Sequence, residues 1–120
     1  MGKRPHEKAL FMPKTTTIPL DAPLTGHDGP VRQVTLREPN GADYIDLGEP
    51  FILTQTKDGG FYHVELDSVI KAYVERCLVE PKEPLLLRQM SLTDAMKVRE
   101  AIGNFFAAAR KAMSQQPATS

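Results

Sequence analysis

Apolar positions change their period near residue 67. Before it they alternate or are interrupted by proline and glycine, and after it they recur at helical spacing. The segment TTTIPLDAPLTGHDGPVRQVTLREP holds four prolines and two glycines, too many for a helix. Its β-branched run Thr15–Ile18 and the alternation of Val31, Gln33, Thr35 and Arg37 with Arg32, Val34 and Leu36 predict two extended segments. GHDGP between them reads as a turn, so the pair forms an irregular hairpin. Asn40 with Asp43 three residues on predicts a capped short helix, stopped after about two turns by Gly48 and Pro50. Two strand-like runs, Phe51 to Thr56 and Phe61 to Leu66, flank Lys57-Asp58-Gly59-Gly60 and predict a central hairpin.

Two longer helices follow. Asp67 is placed to cap a helix running to about Glu80, where Pro81 and Pro84 end it. Val69, Ile70, Tyr73, Val74 and Cys77 form its apolar face. Beyond PKEPLLLRQM, Ser91 with Asp94 caps the longest helix, about residues 92–113. Ala95, Val98, Ile102, Phe105, Phe106, Ala109 and Met113 share one side of it, and Lys97, Glu100, Asn104 and Lys111 the other. The expected architecture is one small α+β domain over residues 15–114. N-terminal extended segments and the central hairpin pack with two main helices and one short helix. A basic tail, 1–14, and a polar tail, 115–120, are expected to be disordered.

Composition narrows the function classes without naming one. The 120 residues carry 15 basic and 15 acidic side chains, so no net field draws in nucleic acid or an anionic membrane. The charge is nevertheless uneven: +3 over residues 1–14, −6 over 15–87 and +3 over 88–120. No apolar stretch has the length of a membrane-spanning helix, and MGKRPHEKALFMPK lacks the apolar core of a secretory signal. The single cysteine, Cys77, leaves no internal disulfide and fits a reducing compartment.

Chemistry is thinly represented. His6, His27 and His63 stand at no metal-ligand spacing, and no cofactor fingerprint or nucleophile elbow is present. Cys77 falls on an apolar face, as an inert buried thiol would. Asp43 and Asp46 read as solvated charges on the short helix rather than a working carboxylate pair. We therefore expect no catalytic, cofactor-binding or metal-binding residues. The basic residues of the last helix mix with Glu100 and face several directions, so nucleic acid and membrane are not expected partners.

What the pattern does offer is apolar surface. Phe105 and Phe106 stand side by side on the last helix with Met96 and Met113 flanking, and Leu85, Leu86 and Leu87 cluster in the linker. Met96, Ile102, Phe105, Phe106 and Met113 are the residues expected to contact an apolar partner helix.

The order of these pieces resembles the tail assembly chaperones of long-tailed bacteriophages and prophages. The likeness begins at TIPLDAPL and VRQVTLREPNGADY and resumes in VIKAYVERCLVEP and MSLTDAMKVREAIGNFF, covering about residues 16–110. A Cys-bearing helix, a proline break and a closing helix ending in paired aromatics match that family's habit. The hairpin at Phe51 to Leu66 departs from it and leaves the sheet partners open. The resemblance implies a non-enzymatic assembly factor of the host bacterial cytoplasm. Such a factor would bind the tape-measure protein and keep it soluble until the tail tube polymerises. The tail tube protein and a second copy of the chain are further candidate partners. Two alternatives stand beside this one: a structural tail or connector adaptor retained in the virion, and a small helix-turn-helix-like DNA-binding regulator.

Overall fold

The structure is a computed structural model that describes residues 14–115. The two expected tails lie outside the described residues except for Lys14 and Gln115. Lys14 is engaged, its carbonyl accepting from the Glu38 N–H at 2.7 Å.

The fold is α+β, as the pattern predicts. Strands β1 (Thr15–Gly26) and β2 (Gly29–Arg37) pair antiparallel through the turn at His27 and Asp28. Gly29 there takes a positive φ of 123° that only glycine adopts without strain. The β1–β2 register shifts between Pro19 and Leu24, because Pro19 and Pro23 have no N–H to give the ladder. Helix α1 (Gly41–Leu47) starts on the expected capping box. Asn40 accepts from the Asp43 N–H, and the Asp43 carboxylate accepts from the Asn40 N–H. Strands β3 (Phe51–Gln55) and β4 (Phe61–Glu65) form the central hairpin.

Helix α2 (Asp67–Cys77) ends three residues earlier than its periodicity predicts, and Asp67 opens it without capping it. Residues Leu78–Glu80 become a short strand, β5, on the free edge of β2, so the sheet order is β1-β2-β5. Satisfying the open edge of β2 outweighs continuing the helix. The Pro84–Gln89 segment is a 3-10 helix, and helix α3 (Leu92–Ser114) closes the chain. Residues 78–91 thus separate the two main helices with a strand and a 3-10 segment. The short turn of a helix-turn-helix reader is not there.

The core lies between the β1–β2 sheet and the two main helices. Ile18, Val34 and Leu36 meet Ile70, Tyr73, Val74 and Cys77 of α2 and Val98, Ala101, Ile102 and Phe106 of α3. Two polar devices lock this arrangement. The Gln89 side-chain amide pairs with the Thr25 backbone in both directions, at 2.7 and 3.3 Å, and so fastens the far end of β1 to the 3-10 segment. Asp94, expected only as part of a cap, is fully buried. Its carboxylate accepts from the Asp21 N–H at 3.0 Å to each oxygen and lies 3.2 Å from Lys97 Nζ. A helix N-terminus thus grips the bulge of β1, satisfying N–H groups that the register shift frees from the ladder.

Candidate functional site

The last turns of α3 run past the core. From Ala107 to Gln115 every residue is exposed. Beside this overhang lies an open groove of about 370 Å³. Pro39, Asn40, Gly41 and Tyr44 form one wall, and Phe105, Phe106, Ala109 and Met113 form the other.

Asp43 holds the α1 wall in position. It is only 2% exposed and not the solvated charge its sequence setting suggests. Its Oδ2 accepts from Arg37 Nη1 at 2.7 Å and from the Asn40 N–H at 2.8 Å. Its Oδ1 accepts from Arg37 Nη2 at 3.3 Å and lies 3.0 Å from Arg76 Nε. Arg37 also donates to the Arg76 carbonyl at the end of α2, where a cation complements the helix dipole. One carboxylate therefore ties β2, α1 and α2 together. The Arg37 hydrogen bond holds the Asp43 carboxyl below the usual carboxylate range, against the opposing effect of burial. Asp46 is the more exposed member of the pair and meets Arg76 Nη2 at 2.5 Å.

The groove floor is aromatic. Phe106 is a hub, with ring centroids 5.1 Å from Tyr73, 6.2 Å from Tyr44 and 6.4 Å from Phe51. The Tyr73 and Phe51 contacts are edge-on, the preferred aromatic geometry. Tyr73 donates to the Gly48 carbonyl at 2.6 Å, and burial pushes its phenol up to about 12. At the rim Glu49 accepts from Tyr44 and pairs with Arg110 of α3, closing a polar clasp over the aromatic floor. The same Glu49 and Arg110 border a second groove, of about 720 Å³, between α3 and the central hairpin.

The five residues expected to contact a partner separate into three places. Phe105, Phe106 and Met113 come together in the first groove. Ile102 is 0% exposed and belongs to the core, so it is unavailable for direct contact in the folded chain; Phe106 is 9% exposed and does double duty as core and groove floor. Met96, 60% exposed, lies on another flank of α3 beside Thr93 and Glu100, away from Met113. The leucine cluster also divides: Leu87 packs on the core and Leu85 points to solvent.

The apolar exposure of the central hairpin was not read from the sequence. Leu53 and Phe61 of the central hairpin are 60% and 64% exposed, and Ile52 and Tyr62 are also open to solvent. A signal was present. FILTQ and FYHVE place apolar residues on both faces of the ribbon, so neither face has the polar character of a solvated one. The Glu49–Arg110 clasp had no such signal, since nothing local connects two residues so far apart in the chain.

The arrangement is suited to apolar docking. Burial pushes the Cys77 thiol up to about 11, so it is not a thiolate at neutral pH. Among the described residues no three His, Cys, Asp or Glu side chains cluster so as to hold a metal ion. Among them, too, no helix is long and apolar enough to cross a membrane. Compared with protein-family models, with curated proteins and with solved structures, the chain matches none.

Proposed function

We propose that this protein is a non-enzymatic tail assembly chaperone of the host bacterial cytoplasm. In this reading it holds an apolar helix of a phage tape-measure protein until the tail tube polymerises. One observation carries the reading beyond the resemblance of residues 16–110. Phe105, Phe106 and Met113 meet in an open groove whose opposite wall, α1, is fixed by a buried ion pair. A groove with a rigid aromatic floor and a flexible methionine at its mouth suits successive apolar side chains of a helix. Glu49 and Arg110 supply a polar rim that orients the guest without adding much affinity.

Ala109→Glu and Met113→Glu test the proposal, because both positions are exposed and neither supports the core. Burying a methionine contributes about 1.5–3 kcal/mol, so Met113→Glu should bind tape-measure segments about tenfold to a hundredfold more weakly, and Ala109→Glu, which sets a charge against the apolar guest, should weaken binding as well. The unfolding midpoint should stay unchanged. Undiminished retention by both variants would reject the groove as the docking site. Mass spectrometry of purified particles separates the chaperone from the adaptor. Absence of the chain is expected for the first, and its presence would assign the second.

A further inference from the structure

The central hairpin is a two-stranded sheet of its own, and no other strand among the described residues pairs with it. Such a ribbon is marginally stable without further cover. The register sets Phe51 opposite Glu65, Leu53 opposite His63 and Gln55 opposite Phe61. The Leu66 N–H bonds to the Pro50 carbonyl and the Thr56 N–H to the Gly60 carbonyl. Even-numbered residues of β3 therefore bond inward to β4. The N–H and C=O groups of Phe51, Leu53 and Gln55 are left pointing outward along the free edge of β3.

The two edges differ. β4 carries His63 and Glu65, and Glu65 is engaged by Arg99 of α3. β3 reads Phe-Ile-Leu-Thr-Gln, with none of the charges or prolines that usually protect an open edge. Beside it lies the groove of about 720 Å³, bounded by Ile52 and Leu53 on the strand and by Gly103 and Ala107 on α3. A strand added about 4.8 Å beyond β3 would lie next to this groove, which His63 of β4 and Arg110 of α3 also line.

We propose that this edge is covered by β3 of a second copy of the chain, paired antiparallel across a two-fold axis at Leu53. The strand is complementary to itself in that register. Leu53 meets the same residue of the second copy and Phe51 meets Gln55, so all three outward-pointing residues fall into hydrogen-bonded pairs. On the opposite face Ile52 of one copy meets Thr54 of the other, which joins Ile52, Val64 and Tyr62 of both copies into continuous rows. The result is a four-stranded sheet, β4-β3-β3-β4, whose outer strands bear the charges. A contact centred on two five-residue strands is small, so association in the micromolar range is expected. It lies on the hairpin side of α3 and shares Glu49 and Arg110 with the α1 groove, but it is read by oligomeric state at Leu53 and not by guest retention at Ala109 and Met113, so the two proposals fail separately.

Sedimentation velocity across the micromolar range, with variants at exposed positions, tests this. The wild-type chain should shift from monomer to dimer as concentration rises. Leu53→Lys places two cations face to face and should leave a monomer with an unchanged unfolding midpoint. Leu53→Cys should cross-link under mild oxidation, since hydrogen-bonded antiparallel pairs hold Cα atoms about 5.5 Å apart, within disulfide reach. Gln55→Cys, set opposite Phe51, should not. A wild-type chain that stays monomeric throughout, a dimer that survives Leu53→Lys, or equal cross-linking of the two cysteine variants would each overturn the proposal.

Discussion

Asp43→Asn isolates the contribution of one charge while keeping the shape of the side chain. The carboxylate receives two bonds from Arg37, one from the Asn40 N–H and one ionic contact from Arg76. The amide oxygen can still accept from Asn40 and so preserve the cap. What it removes is the counter-charge to two guanidinium groups that face each other across Asp43. Breaking a buried ion pair by changing one partner costs about 3–5 kcal/mol. Here Asp43 is buried, but the Arg37 and Arg76 side chains remain 24% and 37% exposed and can rehydrate. That lowers the expectation to about 2–3 kcal/mol, a large share of the total stability of a small domain. Urea unfolding at neutral pH measures it as a lower midpoint with an unchanged slope.

The same variant makes a prediction about pH. The folded-state pKa of Asp43 lies below its unfolded value of about 3.9, so the unfolded chain takes up the proton first. The stabilisation is complete above about pH 5 and declines as pH falls through the folded-state value. The gap between wild type and Asp43→Asn should therefore close on acidification. A gap under about 1 kcal/mol at pH 7, or one that is the same at pH 7 and pH 3, would refute the assignment of Asp43 as the charged link between β2, α1 and α2.

Two further substitutions address α3. Gly103→Ala should stabilise the protein by about 0.5–1 kcal/mol, because the new Cβ meets the Phe51 ring at an ordinary 3.5 Å and the helix gains a better former; thermal unfolding should rise by a few degrees. Phe106→Ala should cost about 3–5 kcal/mol, whereas Phe105→Ala, at a half-buried position, should cost less than half as much; equal losses in denaturant unfolding would contradict the aromatic hub.

The sequence revealed the fold wherever the deciding interactions were local. Asn40 and Asp43 cap each other across three residues, and both hairpins are marked by their turns. The end of α2 was not legible, because Leu78 and Val79 continue an apolar pattern that suits helix and strand equally. The choice belongs to Thr35 and Leu36 of β2, which lie far back in the chain. Asp43 looked solvated because the fold, not the local sequence, turns Arg37 of β2 and Arg76 of α2 onto the same carboxylate. Asp94 was legible as a residue of the helix start, but its principal partner, the backbone at Asp21, is a consequence of the bulge in β1. A helical wheel also cannot rank Phe105 and Phe106, which lie about 100° apart. Tyr73, Tyr44 and Phe51 decide that Phe106 is the inward one.

This division along α3 determines how its function can be probed. The helix is a core element up to Ile102, a boundary at Phe106 and exposed beyond it. The groove floor is therefore made from a side chain the fold already needs. Removing Phe106 would lower binding and stability together, and the loss would say nothing about which came first. Ala109 and Met113 lie on the same wall one and two turns further on, where no core residue depends on them. An effect on partner retention at those two positions, with stability intact, would come from the groove alone. Restoring retention in Met113→Glu by placing a lysine at the facing position of the guest helix would then fix both the groove and the guest's direction along it, because an ion pair forms only where the two side chains meet.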